Sequence, residues 1–304
     1  MLYQKEAQGN WGQMQGTETS VVNTETLLMA DGTQLFLRSW VTGSNSILLI
    51  LHGLGAHSGW FIHMGGELAA RGLTVYAVDH RGFGRSGGPA GHVDAYQTYV
   101  EDTYAVIAEI RKRHPGARMF VLGHSMGAIF TTHLAAKHGD ALAGLLYLNP
   151  WIKEVPGASP FTLMKVAVGG IFKSKRLWQL AGGPEVMTTN PEAVEMLNAD
   201  PHWRRAETAT FFVQFLRMRA AALKLAKSIT LPALVMQAEE DKAVLISGSR
   251  QLYEALASSD KTWRTYPGYA HDSEFEADRS QMDEDIVAWI GEHILGIDSS
   301  LRSE

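Results

Sequence analysis

The hydrophobic positions of this chain fall into short continuous runs separated by segments of helical spacing. SILLILHG (46–53), TVYAVD (74–79), MFVLGH (119–124), LAGLLYLNP (142–150) and LPALVMQAEE (231–240) are apolar almost throughout. A strand covered on both faces has no polar side, so such runs read as buried parallel strands. Between them lie WFIHMGGELAARG (60–72), YQTYVEDTYAVIAEIRKRH (96–114) and MGAIFTTHLAAKHG (126–139). In the second of these, Tyr99, Thr103, Val106, Ile107 and Ile110 recur along one helical face, and Pro115-Gly116 closes it. Upstream, TLLMADG and LFLRSWV flank Asp31-Gly32, which predicts a hairpin. Alternating strand and helix predicts an α/β fold, with a mostly parallel central sheet and helices on both faces.

The alternation stops at Pro150. From 151 to 229 no buried strand is evident, and FTLMKVAVGGIF, RLWQLAG, PEAVEMLNAD and ETATFFVQFLRMRAAALKLAKSI all read as helical pieces. Strand and helix resume at Leu231, with GSRQLYEALAS as helix, KTWRTYPG as strand and DEDIVAWIGEHIL as a last helix. The expected organisation is a polar N-terminal tail (1–20), a core made of 21–150 and 230–296, and an inserted helical cap (151–229).

Composition narrows the chemistry. The chain has 304 residues, 45% of them hydrophobic and 19% charged, which is ordinary for a globular protein with a sizeable core. Its formal charge of −5 comes without a Lys/Arg cluster, so no nucleic-acid partner is expected. With no cysteine, disulfides, thiolate metal sites and cysteine nucleophiles are excluded. No apolar signal-peptide region and no run near 18 residues is visible, so the expected location is cytoplasmic.

Two stretches match G-x-S-x-G: GHSMGA (123–128) and GRSGG (84–88). A nucleophilic serine on this motif needs a strand directly before it and a helix directly after it. Ser125 has both. Ser86 lies several residues past a strand, with Pro89 following, and reads as part of a glycine-rich loop. A serine hydroxyl also needs a histidine base, and the base needs a carboxylate. In the chain order Ser, acid, His, the acid is Asp241 at the end of LVMQAEED, with Glu240 the alternative, and the base is His271 in WRTYPGYAHD. Oxyanion donors are expected at the backbone N–H groups of Met126 and of Leu54, in the loop after SILLIL. His52 is expected to tie that loop down. No HExxH or comparable ligand spacing is present, and no metal or organic cofactor is expected.

At this point the sequence resembles the α/β-hydrolase superfamily, and within it the monoacylglycerol lipase and lysophospholipase family, sometimes grouped with serine aminopeptidases. The resemblance rests on HGLGAHSGW (52–60), VDHRGFGRSGG (78–88), GHVDAYQTYVEDTYAVI (91–107), GHSMGA, NADPHW (198–203) and EEDKAVLISGSRQLYEAL (239–256). It implies an α/β-hydrolase fold, makes Ser86 part of a structural D-x-R-G-x-G-x-S loop, and implies a lipid-like ester with one acyl chain as substrate. The chain departs from the usual pattern at Ala56 and Trp60, where the family has Glu and often Arg, at Ala128 for Gly, and at Asp272 for Glu. Apolar residues of the cap would bind an acyl chain, and could rest transiently on a membrane surface. Candidate substrate contacts are Trp60, His124, Phe161, Met164, Phe211 and Phe215. Amide hydrolysis, acyl transfer or cofactor-free peroxidation on the same three residues, and ligand binding without turnover, are the alternatives.

Overall fold

The apolar runs become strands because both of their faces are covered. In β3 (Ser46–Leu51) every residue is buried. Ile47, Leu49 and Leu51 enter one hydrophobic cluster, while Leu48 and Ile50 enter another on the opposite face. That is the period-2 geometry of a central strand. The computed structural model describes residues 21–156, 168–169, 175–179 and 183–295.

The other strands of the main sheet are β1 (Asn23–Leu28), β2 (Gln34–Trp40), β4 (Thr74–Val78), β5 (Arg118–His124), β6 (Gly144–Leu148), β9 (Ala233–Ala238) and β10 (Lys261–Tyr266). Their spatial order is β1-β2-β4-β3-β5-β6-β9-β10. The β1–β2 and β2–β4 pairs are antiparallel and the remaining neighbours are parallel. The described helices are α1 (Ile62–Ala70), α2 (Gln97–Arg113), α3 (Met126–His138), α4 (Pro191–Ala199), α5 (Ala209–Ala226), α6 (Ile246–Ala255) and α7 (Ser280–Leu295). Val106 and Ile110 of α2 and Ile129 and Leu134 of α3 fill the first cluster; Met64 and Leu68 of α1 and Ile286 and Ile290 of α7 fill the second. The sheet is therefore covered on both faces, as the sequence predicts. No described helix is long and apolar enough to cross a membrane.

Between β6 and β9 the chain makes an insertion, and here the reading changes. Within RLWQLAG, whose last three residues lie outside the described residues, Leu177–Gln179 is not the helix expected but strand β7, antiparallel to β8 (Ala206–Thr208). The helix expected from Glu207 starts only at Ala209, because the Thr208 hydroxyl accepts the Phe211 N–H at 3.1 Å and caps it. FTLMKVAVGGIF lies outside the described residues except for Val168 and Gly169.

Ser86 sits where the loop after β4 turns back under β2. Its hydroxyl accepts the Phe36 N–H at 2.8 Å and donates to the Asp79 carbonyl at 2.6 Å. The Asp79 carboxylate accepts the N–H groups of Ser58 (2.6 Å) and Arg85 (2.7 Å). Ser86→Ala leaves a backbone donor and a backbone acceptor unpaired, so chemical denaturation should show a loss of about 1–3 kcal/mol.

Candidate active site

Ser125 closes β5 and opens α3 with φ +53° and ψ −110°, one of two described non-glycine residues with positive φ. A non-glycine residue is held there only where its surroundings dictate it. Its N–H donates to the Leu148 carbonyl at 2.9 Å, and its carbonyl accepts from Ala128 and Trp151, each at 3.2 Å. The hydroxyl makes no capping bond to α3. It lies instead 2.9 Å from His271 Nε2. His271 follows β10, and its Nδ1 lies 2.7 Å from Asp241 Oδ2. Asp241 follows β9, and its Oδ1 accepts the N–H groups of Ala243 and Val244, both at 2.8 Å. Glu239 and Glu240, its neighbours, are exposed. The geometry thus joins Asp241, rather than Glu240, to His271.

Electrostatics follow from this chain of contacts. Burial alone would lower the His271 pKa, but the Asp241 charge and hydrogen bond outweigh it and raise it above the usual value. Burial alone would raise Asp241; the His271 contacts and the two backbone N–H groups bring it below the usual carboxylate value. Each partner favours the charged form of the other.

The loop after β3 passes beside the serine. A Cβ on Gly53 would stand 3.2 Å from both Ser125 Cβ and His124 Nδ1, a tight approach that glycine relieves. His52 Nε2 accepts the His80 N–H at 2.9 Å, which leaves its Nδ1–H to donate to the Gly53 carbonyl at 2.7 Å. In a trans peptide C=O and N–H point oppositely, so fixing the Gly53 carbonyl fixes the Leu54 N–H. Burial pushes His52 down to about 4, which keeps it neutral in this role. Met126 is buried at the first turn of α3.

The remaining candidates are placed differently from one another. Phe211 and Phe215 are buried on α5, with Phe211 edge-on to Phe83 and Phe215 tilted against Trp151. Phe161 and Met164 lie outside the described residues. His124 is buried, and its Nε2 donates to the His271 carbonyl at 3.0 Å. Trp60 is buried too, and its indole N–H donates to Asp200 Oδ2 at 2.8 Å. Its ring lies edge-on to Trp203 and Phe275.

Two features went unnoticed in the sequence. Asn149, the other positive-φ residue (+46°), donates from Nδ2 to the His271 carbonyl at 2.6 Å and accepts the Ala238 N–H at 2.7 Å. Its position before a proline at a strand end was the available signal. The second is Asp200 of NADPHW, which also accepts from His57 Nε2 at 2.8 Å, while His57 Nδ1 accepts the Gly59 N–H. Alongside it the Arg204 N–H donates to the Gly55 carbonyl at 2.9 Å. These bonds fasten the insertion to the loop that carries Leu54.

An eight-stranded, mostly parallel sheet with a serine on a strained strand-to-helix turn, and a histidine and an acid on later loops, defines an α/β-hydrolase. The family model of serine aminopeptidases of the S33 type matches residues 43–278. The chain belongs to this family, in its monoacylglycerol lipase-like branch. It is 30% identical over 267 residues to a monoacylglycerol lipase of Mycolicibacterium smegmatis, covering 83% of this chain and 90% of that one. It is 31% identical over 251 residues to the monoglyceride lipase of Homo sapiens, covering 81% and 82%. A crystal structure of a Paleococcus ferrophilus monoacylglycerol lipase superposes with a TM-score of 0.78 at 25% identity, over 85% of this chain and 99% of that one.

Asp200 gives the site a testable anchor. Burial alone would raise its pKa, but the hydrogen bonds from His57 and Trp60 hold it down at about 2. Its folded-state pKa is depressed, so its stabilising contribution is present above about pH 4 and is lost as the pH falls through about 2. Asp200→Ala strands two buried N–H donors, and unfolding monitored by tryptophan fluorescence should show a loss of about 2–4 kcal/mol at pH 7.

Proposed function

We propose that this protein hydrolyses carboxylic esters of a single acyl chain, with Ser125 as nucleophile, His271 as base and Asp241 as the acid that orients it. The observation that carries the reading is the continuous path Asp241 Oδ2–His271 Nδ1 (2.7 Å) and His271 Nε2–Ser125 Oγ (2.9 Å). With Nδ1–H donated to Asp241, Nε2 presents its lone pair to the hydroxyl.

In the first half-reaction His271 Nε2 takes the Ser125 proton as Oγ bonds to the ester carbonyl carbon. The Leu54 and Met126 N–H groups hold the oxyanion, each such donor being worth about 3 kcal/mol. The imidazolium, stabilised by Asp241, returns its proton to the departing alcohol and leaves an acyl-Ser125 ester. In the second, His271 takes a proton from water as its oxygen attacks that ester, then gives the proton back to Ser125 as the fatty acid leaves.

Family membership supports ester cleavage, and the relatives named as monoacylglycerol lipases support a lipid-like substrate. Phe211 and Phe215, on an insertion joined to the Leu54 loop, are buried against Phe83 and Trp151, and in this reading an acyl chain would pack beside them. The insertion functions in this reading as a cap, and its exposed Val168, Leu177 and Leu216 suit brief contact with a membrane surface. A cytoplasmic location accords with this use. Trp60 stands where polar residues are common in the family, and its N–H is engaged by Asp200.

A fluorophosphonate should label wild-type protein at Ser125 and leave Ser125→Ala unlabelled; a well-folded wild-type protein without that adduct would refute the assignment. Activity on p-nitrophenyl esters should rise from acetate to medium chains, since each buried methylene contributes about 0.8 kcal/mol. Preference for acetate or for aminoacyl anilides would overturn the lipid-ester reading. Because Asp241 holds the His271 pKa above its usual value, kcat/KM should climb with pH through that raised value. In Asp241→Asn the climb should move to lower pH, with kcat reduced by about 10⁴.

A further inference from the structure

Beside His271 stand two acids that the mechanism leaves unused. The side chains of Asp272 and Glu274 are 3% and 0% exposed. Both carboxyl oxygens of Glu274, and Oδ2 of Asp272, have no hydrogen-bond partner. His124 lies against both. Its Nε2 donates to the His271 carbonyl, so Nδ1 carries the lone pair. That Nδ1 is buried and unpartnered, and Glu274 Oε1 faces it at 4.0 Å. Asp272 Oδ1 lies 3.5 Å from His124 Nε2.

The contrast with Glu276 is informative. Glu276 receives the hydroxyls of Thr188 and Thr189 and the N–H groups of Thr189 and Ala270. Glu274 receives none of these. The cation that faces it, Arg279, lies 3.3 Å from Asp283. The other titratable groups facing the cluster are His52 from the loop after β3, kept neutral by burial, and Asp241 from the loop after β9. Two carboxylates and an imidazole lone pair in one dry place, with no side-chain donor left over for Glu274 or for His124 Nδ1, would be strongly unfavourable. A carboxylic acid O–H is the donor that this place lacks.

We propose that Asp272 and Glu274 are positioning residues kept as neutral acids. They complete the polar surroundings of His124, which holds the His271 carbonyl, and they leave Asp241 as the anion acting on the base. Burial supports this, pushing Glu274 up to about 8. It also pushes Asp272 well above the usual carboxylate value, with the Glu274 charge adding to the effect. Above about pH 8 Glu274 ionises, an anion then faces the His124 lone pair, and the tether on His271 weakens.

The test compares wild-type protein with Glu274→Gln, whose amide donates but cannot ionise. The folded protein binds a proton that the unfolded chain releases above about pH 4.5. The ratio of unfolding constants, wild type over variant, should therefore rise up to about tenfold per pH unit between about 5 and 8. The ratio of kcat/KM, wild type over variant, should fall roughly tenfold between pH 7 and pH 9.0, the fraction of Glu274 still protonated one unit above its pKa, because the climb through the His271 pKa is common to both proteins and cancels. Asp272→Asn, measured in the same way, decides the matter if Glu274→Gln does not fold.

Parallel stability curves with superimposable pH–rate profiles would overturn the proposal. So would stoichiometric zinc binding by wild-type protein that Glu274→Gln abolishes, since the unpartnered atoms would then be metal ligands. The kinetic arm rests on His271 being the base, whereas the stability arm does not. Failure of the assignment would show as no adduct at Ser125 with the stability difference intact.

Discussion

Two backbones approach so closely at one point that the rest of the site depends on it. The first turn of α3 lies against the carboxyl end of β3, where a Cβ on Gly127 would collide with the Leu51 carbonyl and one on Gly123 with the Gly127 carbonyl. Because β3 and β5 pair in parallel with Leu51 opposite Gly123, the loop after one and the turn after the other leave the sheet side by side. That adjacency brings the peptide before Leu54 and the first turn of α3 beside Ser125, and the His52 ring fixes the first of them. The strand order β4-β3-β5 reverses direction at this place, the kind of crevice where ligands bind in open parallel sheets. His271 and Asp241 then arrive from loops on the same edge, after β10 and β9.

What could be read in advance was what depends on local pattern. SILLIL and MFVLGH announce themselves because a doubly covered strand has no polar alternation. Ser125 could be chosen over Ser86 because a strand precedes it and a helix follows. Asp241 needed the structure to separate it from Glu240, since three adjacent acids carry the same local signal and only one turns inward. Strand β7 was misread as helix because its residues pair with β8, far along the chain, and a three-residue strand has too little periodicity of its own. Trp60 and His124 were legible as large residues near the site, but their partners, Asp200 and the His271 carbonyl, come from distant segments. HDSEFEADR reads as a solvated charged loop; nothing within it reveals that Asp272 and Glu274 are enclosed.

The insertion is bonded to two of the loops that make the site. Asp200 and Arg204 bind the loop carrying Leu54 through His57, Trp60 and Gly55. A few residues earlier, the Met187 carbonyl accepts the Asp272 N–H at 2.7 Å, and Thr188 and Thr189 bind Glu276 on the far side of His271. One stretch of chain is thus bonded at once to the loop that carries Leu54 and to the loop that carries His271. Residues joined by buried hydrogen bonds of this kind couple energetically instead of contributing independently. The insertion segments 187–190 and 200–204 are therefore tied into the core by buried hydrogen bonds. The same argument explains why polar groups are concentrated in these segments: packing alone would tolerate a slide of the insertion over the sheet edge, whereas a carboxylate shared by an imidazole and an indole permits one register.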